Sequence, residues 1–221
     1  MPPIGVYIHF PFCKRKCHYC DFYSITNLKE IPDYINYLLK EIELRCQTLA
    51  EQSKIETNKI DTIFIGGGTP SLINPRYIEK IIATIDKYFD ITSNAEITLE
   101  CNPAASDAKH FPDYAALGIN RISIGVQSFL DDELRFLQRL HSASEAIATI
   151  EAARKYFNNL SIDLIFGLPE QTFDNINKSL SQAIALDLPH ISCYALIYEE
   201  GTPLFEDLLA GKVRPIADEE S

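Results

Sequence analysis

Short β-branched runs alternate with longer amphipathic stretches along the whole chain, and this alternation limits the fold more than any other feature. The runs are Ile4 to Phe10, Ile60 to Ile65, Glu96 to Cys101, Arg121 to Val126, Ser161 to Phe166 and Ile191 to Ile197. They are apolar and bounded by Gly, Pro, Asn or Asp, as buried parallel strands are. Between them, Pro32 to Ala50 carries Tyr34, Leu38, Ile42 and Leu49 at near-helical spacing, and Pro75 to Tyr88 carries Tyr77, Ile78, Ile81, Ile82 and Ile85. Helical patterns also cover Ala105 to Leu117, Ser142 to Phe157 and Phe173 to Leu186. Strands and helices in strict alternation predict an α/β fold with a parallel sheet and right-handed crossovers. An open doubly wound sheet and a barrel-like array both satisfy this, and both place chemistry at the C-terminal ends of the strands. Six strand-like runs and no seventh predict a partial (β/α)6, TIM-like barrel rather than a closed eight-unit one. From Glu199 onward the sequence reads as a loop, a short helix and a polar end.

The chain has 221 residues, 46% hydrophobic and 23% charged, which is enough apolar material for a real core. No apolar run is long enough to span a bilayer. Met1-Pro2-Pro3-Ile4 lacks the basic region and apolar core of a signal peptide, so a cytoplasmic location is expected. A net charge of -11 argues against general affinity for nucleic acid, which needs a positive surface to displace counterions.

Of six cysteines, Cys13, Cys17 and Cys20 fall within eight residues, while Cys46, Cys101 and Cys193 stand apart. A secreted disulfide framework is usually a short, cysteine-dense chain, so the trio reads as a metal site and the other three as buried small hydrophobes. A CxxxCxxC array can hold three irons of a [4Fe-4S] cluster and leave the fourth open. It also suits zinc, with His9 or His18 as fourth ligand, or a redox pair of Cys17 and Cys20. Gly66-Gly67-Gly68-Thr69-Pro70-Ser71 follows the second strand. It permits close backbone approach to a ligand, and it lacks the Gly-Lys-Ser/Thr of a phosphate loop. Glu100 closes the third strand, Gln127 follows the fourth and Asp163 lies in the fifth. One polar or glycine element at each strand end is what a single site built from successive βα loops produces.

These motifs together resemble the radical-SAM family of oxygen-independent coproporphyrinogen III oxidases and their relatives. The resemblance rests on Gly5 to Cys13, the CxxxCxxC array with Asp21-Phe22, and the Gly66 to Ser71 loop. It continues through Glu100 with Asn102-Pro103, Gly125-Val126-Gln127-Ser128-Phe129, Arg139, and Ile162 to Pro169, from about Ile4 to Pro203. It implies a radical SAM-type partial barrel as a core domain over 1–203, with 204–221 beginning a C-terminal extension. It implies that Cys13, Cys17 and Cys20 ligate the cluster. Tyr7, Tyr19, Gly67, Gly68, Thr69 and Glu100 then match positions that contact S-adenosylmethionine (SAM), and Gln127, Arg139 and Asp163 match further SAM-pocket positions. The oxidases are similar here but carry a fourth cysteine two residues after the third, where this chain has Phe22. Cys20-Asp21-Phe22-Tyr23-Ser24 is similar instead to the haem-chaperone branch. That branch implies haem or another tetrapyrrole as ligand, haem-accepting proteins as partners and a reduced flavodoxin- or ferredoxin-type electron donor. The alternative is a radical SAM oxidoreductase decarboxylating coproporphyrinogen III or a related tetrapyrrole; reductive SAM cleavage is left open, and coproporphyrinogen III oxidation itself is not expected. His141 and His190 are the free histidines available as haem ligands, although lone histidines are more often structural.

Overall fold

A computed structural model describes residues 3–51, 59–103 and 108–216, with no account of the side chains at 50 and 51. Six strands form one parallel sheet: β1 (Ile4–Phe10), β2 (Lys59–Gly67), β3 (Asp90–Cys101), β4 (Arg121–Gln127), β5 (Asn159–Phe166) and β6 (His190–Ala195). They pair in sequence order, β1 through β6, and the two outer strands do not pair with each other, so the array stays open. This is the expected partial (β/α)6 barrel.

The register explains how such strands can carry both a core and a site. Ile8, Ile65, Leu99, Ile122 and Leu160 align across five strands, and all are buried. The neighbouring row is Tyr7, Phe64, Thr98, Arg121 and Asn159. Successive side chains point to opposite faces of a strand. One face therefore belongs to the apolar core under the helices, and the other is largely polar and open to ligands.

The helices are α1 (Ile31–Glu51), α2 (Pro75–Asp86), α3 (Phe111–Ala116), α4 (Asp131–Phe136), α5 (Ala143–Ala153), α6 (Phe173–Ala185) and α7 (Pro203–Leu209). Their starts are written in local chemistry. Asn74 caps α2 by accepting from the Arg76 N–H, with Pro75 in the first turn. Ser142 and Glu145 form a reciprocal capping box on α5. Thr172 and Thr202 cap α6 and α7. On α2, Ile78, Ile81 and Ile85 are buried against the sheet, each worth about 1.5–3 kcal/mol.

Several details differ from the sequence reading, among them α5, which stops at Ala153 rather than Phe157, and β6, which stops at Ala195 rather than Ile197. β3 begins at Asp90, not Glu96, because Ile91 pairs with Ile60 although the following Ser93 and Asn94 are exposed. α3 covers only Phe111–Ala116 of the expected Ala105 to Leu117 helix, and residues 105–107 lie outside the described residues. α4 was not expected: six residues are too few to display a period. Cys46 and Cys101 are buried as expected, but Cys193 is exposed, because it lies on β6 at the margin of the sheet. No described helix is long and apolar enough to cross a membrane.

Candidate cofactor site

The C-terminal ends of the strands open into a cavity of about 450 Å3. Cys13, Cys17 and Cys20 line it from the loop after β1, Gly67, Gly68 and Thr69 from the end of β2, and Glu100 from the end of β3. Gln127 and Arg139 reach it from β4 and its exit, and Asp163 from β5. Tyr19 lines it as well. Of the twelve cluster- and SAM-site residues that the resemblance implies, Tyr7 alone stands off the lining. Its hydroxyl lies 3.1 Å from His9 Nδ1, and its ring stacks on Phe64.

The glycine loop is built for close approach. Gly67 has φ +118°, and a Cβ there would sit 2.9 Å from the His9 ring and from the Phe10 carbonyl oxygen. At Gly68 a Cβ would lie 2.7 Å from the Phe12 carbonyl oxygen and 2.9 Å from Cys13 Sγ. The backbone then ties the two loops together: Gly68 N–H donates to Phe10 O at 2.8 Å, and Thr69 N–H to Phe12 O at 2.8 Å. Glu100 braces the same loop by accepting from Gly67 N–H at 3.0 Å.

Arg139 is fixed by a bulge. The β4–β5 register shifts between Ile124 and Gln127, and Gly125 and Val126 sit inside that shift. Arg139 Nη2 donates to Gly125 O at 2.8 Å, and the His141 ring donates from Nε2 to Val126 O at 3.0 Å. Arg139 Nη2 also donates to Asn102 Oδ1 at 2.5 Å, and Nη1 lies 3.8 Å from Cys17 Sγ. Asn102 in turn donates from Nδ2 to Thr69 Oγ1 at 2.8 Å. The sequence reading noted Asn102 only as part of an Asn-Pro pair; the structure makes it the clamp between Thr69 and Arg139.

Burial is the main electrostatic influence. It pushes the Glu100 carboxyl above the usual carboxylate range against the opposing Gly67 hydrogen bond. It raises Asp163 likewise, against hydrogen bonds from Ser192 and the charge of Arg121. Burial raises the Cys20 thiol and takes the Tyr19 phenol up to about 12. Two partly buried carboxyls facing one cavity suit the ammonium, sulfonium and ribose hydroxyls of a cationic ligand.

His9, His141 and His190 are engaged in hydrogen bonds, and His18 is buried. His9 Nε2 donates to Tyr23 O at 2.9 Å, so Nδ1 is the acceptor for Tyr7, and neither nitrogen is open for zinc. His18 is buried against Phe136, with Nδ1 unpartnered among the described residues. His141 is buried, and that burial, followed by the charge of Arg139, lowers its pKa to about 4. His190 Nδ1 lies 2.8 Å from Ser161 Oγ. Neither His141 nor His190 faces the cavity as a ready haem ligand.

The donor set fits a cluster. Cys13, Cys17 and Cys20 all line the one cavity. Three soft thiolates are the donor set that holds a [4Fe-4S] cluster with one iron left open.

Comparison with known proteins bears on the same arrangement. The model of the Radical SAM superfamily matches residues 7–183, a span that contains every cavity residue named above. The chain belongs to the radical SAM superfamily. Membership of the superfamily implies a [4Fe-4S] cluster and SAM. Within this superfamily the chain is 43% identical over 205 residues to a heme chaperone HemW from Haemophilus influenzae, covering 91% of this chain and 53% of the relative. It is 38% identical over 205 residues to the heme chaperone HemW of Escherichia coli, with the same shares covered. The radical SAM enzyme coproporphyrinogen III oxidase (HemN) from Escherichia coli superposes with a TM-score of 0.82 over 99% of this chain and 49% of that one, at 24% identity. The radical SAM chain thus spans about half the length of the curated relatives it matches.

Proposed function

We propose that this chain is the cluster- and SAM-binding part of a haem chaperone that binds haem and delivers it to haemoproteins. The observation that carries the choice between chaperone and oxidase is Phe22. It lines the cavity, two residues after the third thiol, where the oxidases carry a fourth cysteine. The 38–43% identity to HemW chaperones supports the same branch.

In this reading Cys13, Cys17 and Cys20 hold the cluster. Gly67, Gly68 and Thr69 offer backbone and hydroxyl groups to the amino-acid end of SAM, and Glu100 accepts from its ammonium or ribose. Tyr19, Gln127, Arg139 and Asp163 form the rest of the wall, and Tyr7 stands beside it. When bound, the cluster would supply the single electron needed for reductive cleavage of a C–S bond of SAM. The protein's own task is to orient SAM, and the buried carboxylates exclude neutral analogues by leaving their charge unmatched.

Titration with haem should give a saturable change in the Soret band. Anaerobic incubation with SAM, reductant and coproporphyrinogen III should give no protoporphyrinogen. Turnover to protoporphyrinogen by the present chain would return the oxidase to first place, and Phe22→Cys tests the motif directly.

Lys14, Arg15 and Lys16 are exposed on the thiol loop of an acidic protein. They support docking of an acidic flavodoxin- or ferredoxin-type donor. The Arg15 guanidinium is held by the Gln138 carbonyl, so its reversal would disturb the loop itself. Reversing only Lys14 and Lys16 to Glu should slow cluster reduction by flavodoxin about tenfold or more at low salt, with the difference shrinking as salt is added. An unchanged rate at low salt would rule the docking role out.

A further inference from the structure

A buried carboxylate that is not part of the cavity lining joins the two strand exits that frame it. Glu133, in the first turn of α4, is only 7% exposed. Both of its oxygens face neutral donors. Oε2 accepts from the Ser128 hydroxyl at 2.5 Å, and Oε1 accepts from Gln171 Nε2 at 2.9 Å. Ser128 belongs to the exit of β4 and Gln171 to the exit of β5. Ser128 Oγ also accepts from Leu130 N–H at 3.0 Å, and Ser179 Oγ on α6 accepts from Phe129 N–H at 3.2 Å. Beyond Gln171, its Oε1 accepts from Gly167 N–H at 2.8 Å, directly after β5.

The chemistry of the carboxylate sets the direction of this chain of bonds. An ionised carboxylate only accepts. It therefore turns the NH2 of Gln171 toward itself and leaves the amide oxygen for Gly167. It also turns the Ser128 proton inward and leaves that oxygen for the Leu130 N–H. A buried carboxylate with neutral partners is a poor choice for packing alone, since an apolar residue of similar size would avoid the desolvation. What it secures is geometry. The β4 exit begins at Gln127, a non-glycine residue held at φ +71°, and leads through α4 to Arg139. The β5 strand carries Asp163.

We propose that Glu133 is a positioning residue for the SAM side of the cavity, holding the Gln127–Arg139 arm in register with the strand that bears Asp163. This rests on the SAM-binding reading above. Groups that support binding residues at one remove commonly change affinity 10- to 100-fold when lost.

The test is SAM titration of the anaerobically reconstituted protein, with iron content measured on the same samples. Glu133→Leu should weaken SAM binding roughly 10- to 100-fold while iron content falls far less, because Glu133 bonds Ser128 and Gln171 and makes no bond to the loop that bears the three thiols. Glu133→Gln should stay within about threefold of the parent, since its oxygen can serve Gln171 and its NH2 can serve Ser128 after the hydroxyl turns. Gln171→Met removes the same link from a partly exposed position and should weaken binding in the same direction if Glu133→Leu does not fold. Unchanged SAM affinity in the Leu or Met variant overturns the proposal. So does a parallel loss of iron and SAM that Gln does not rescue, which marks a general structural role. A parent that binds iron but not SAM overturns the SAM reading, and the positioning role with it.

Discussion

Cys17→Ala is expected to abolish cluster retention while the fold survives. Cys17 is the middle thiol of the array, and its Sγ lies 3.8 Å from Arg139 Nη1. Two thiolates rarely hold a four-iron cluster, so the parent should take up about four irons per chain on anaerobic reconstitution and the variant close to none. The broad visible absorbance should disappear with the iron. The apolar core lies on the opposite face of the sheet, with Phe10, Ile65 and Leu99 among its fully buried members, so far-ultraviolet circular dichroism should not change. Cys193→Ala is the control, since that thiol is exposed on β6 and away from the loop. Stoichiometric zinc in the parent with no uptake of iron would refute the cluster reading.

Gly68→Val should be nearly as damaging, through a different cause. Its Cβ would lie 2.7 Å from a backbone oxygen, that of Phe12, and 2.9 Å from Cys13 Sγ. The oxygen belongs to the main chain that accepts from Thr69 N–H, so it cannot swing aside as a flexible side chain would. Forced insertion of this kind typically costs about 1–3 kcal/mol. The relief available is to displace the Cys13 loop, which should lower iron retention and SAM affinity together. Gly201→Ala separates the effects: φ there is +84°, but nothing lies within 4 Å of the added Cβ. It should lower the melting temperature modestly and leave iron content alone. A Gly68→Val protein with parental melting temperature and full iron would show that the loop yields more easily than its hydrogen bonds imply.

The fold was legible because short apolar runs bounded by Gly, Pro, Asn or Asp alternate with amphipathic stretches, and β1 was bounded correctly at both ends by Ile4 and Phe10. Strand β3 was read short because its first half is polar: Ser93 and Asn94 are exposed, and pairing, not hydrophobicity, makes them strand. Cys193 was misread for the reverse reason, since composition cannot tell a central strand from a marginal one. The thiols, the glycine loop and Glu100 announce themselves by type and spacing, and the structure brings them to one cavity. Asn102 and Glu133 were harder to see. Their roles depend on which carbonyls a bulge releases and which loops lie side by side, and neither is written in local sequence. Arg139 was read through the resemblance as a SAM-pocket position, but nothing in the local sequence announces the bulge at Gly125 whose carbonyl holds it.

Every strand in this sheet pairs with the one made just before it, so the sheet can grow in the order of synthesis. The thiol loop emerges first, yet its contact with Arg139 spans 122 residues of sequence. At about 5–20 residues per second, roughly 6–24 s of translation separate the thiols from that wall. His18 O waits longer still for the Leu204 N–H of α7. The sulfur atoms are thus the oldest part of the site and its enclosure the youngest, so on the nascent chain the thiols stand open to oxidants and to stray metals before they are closed in.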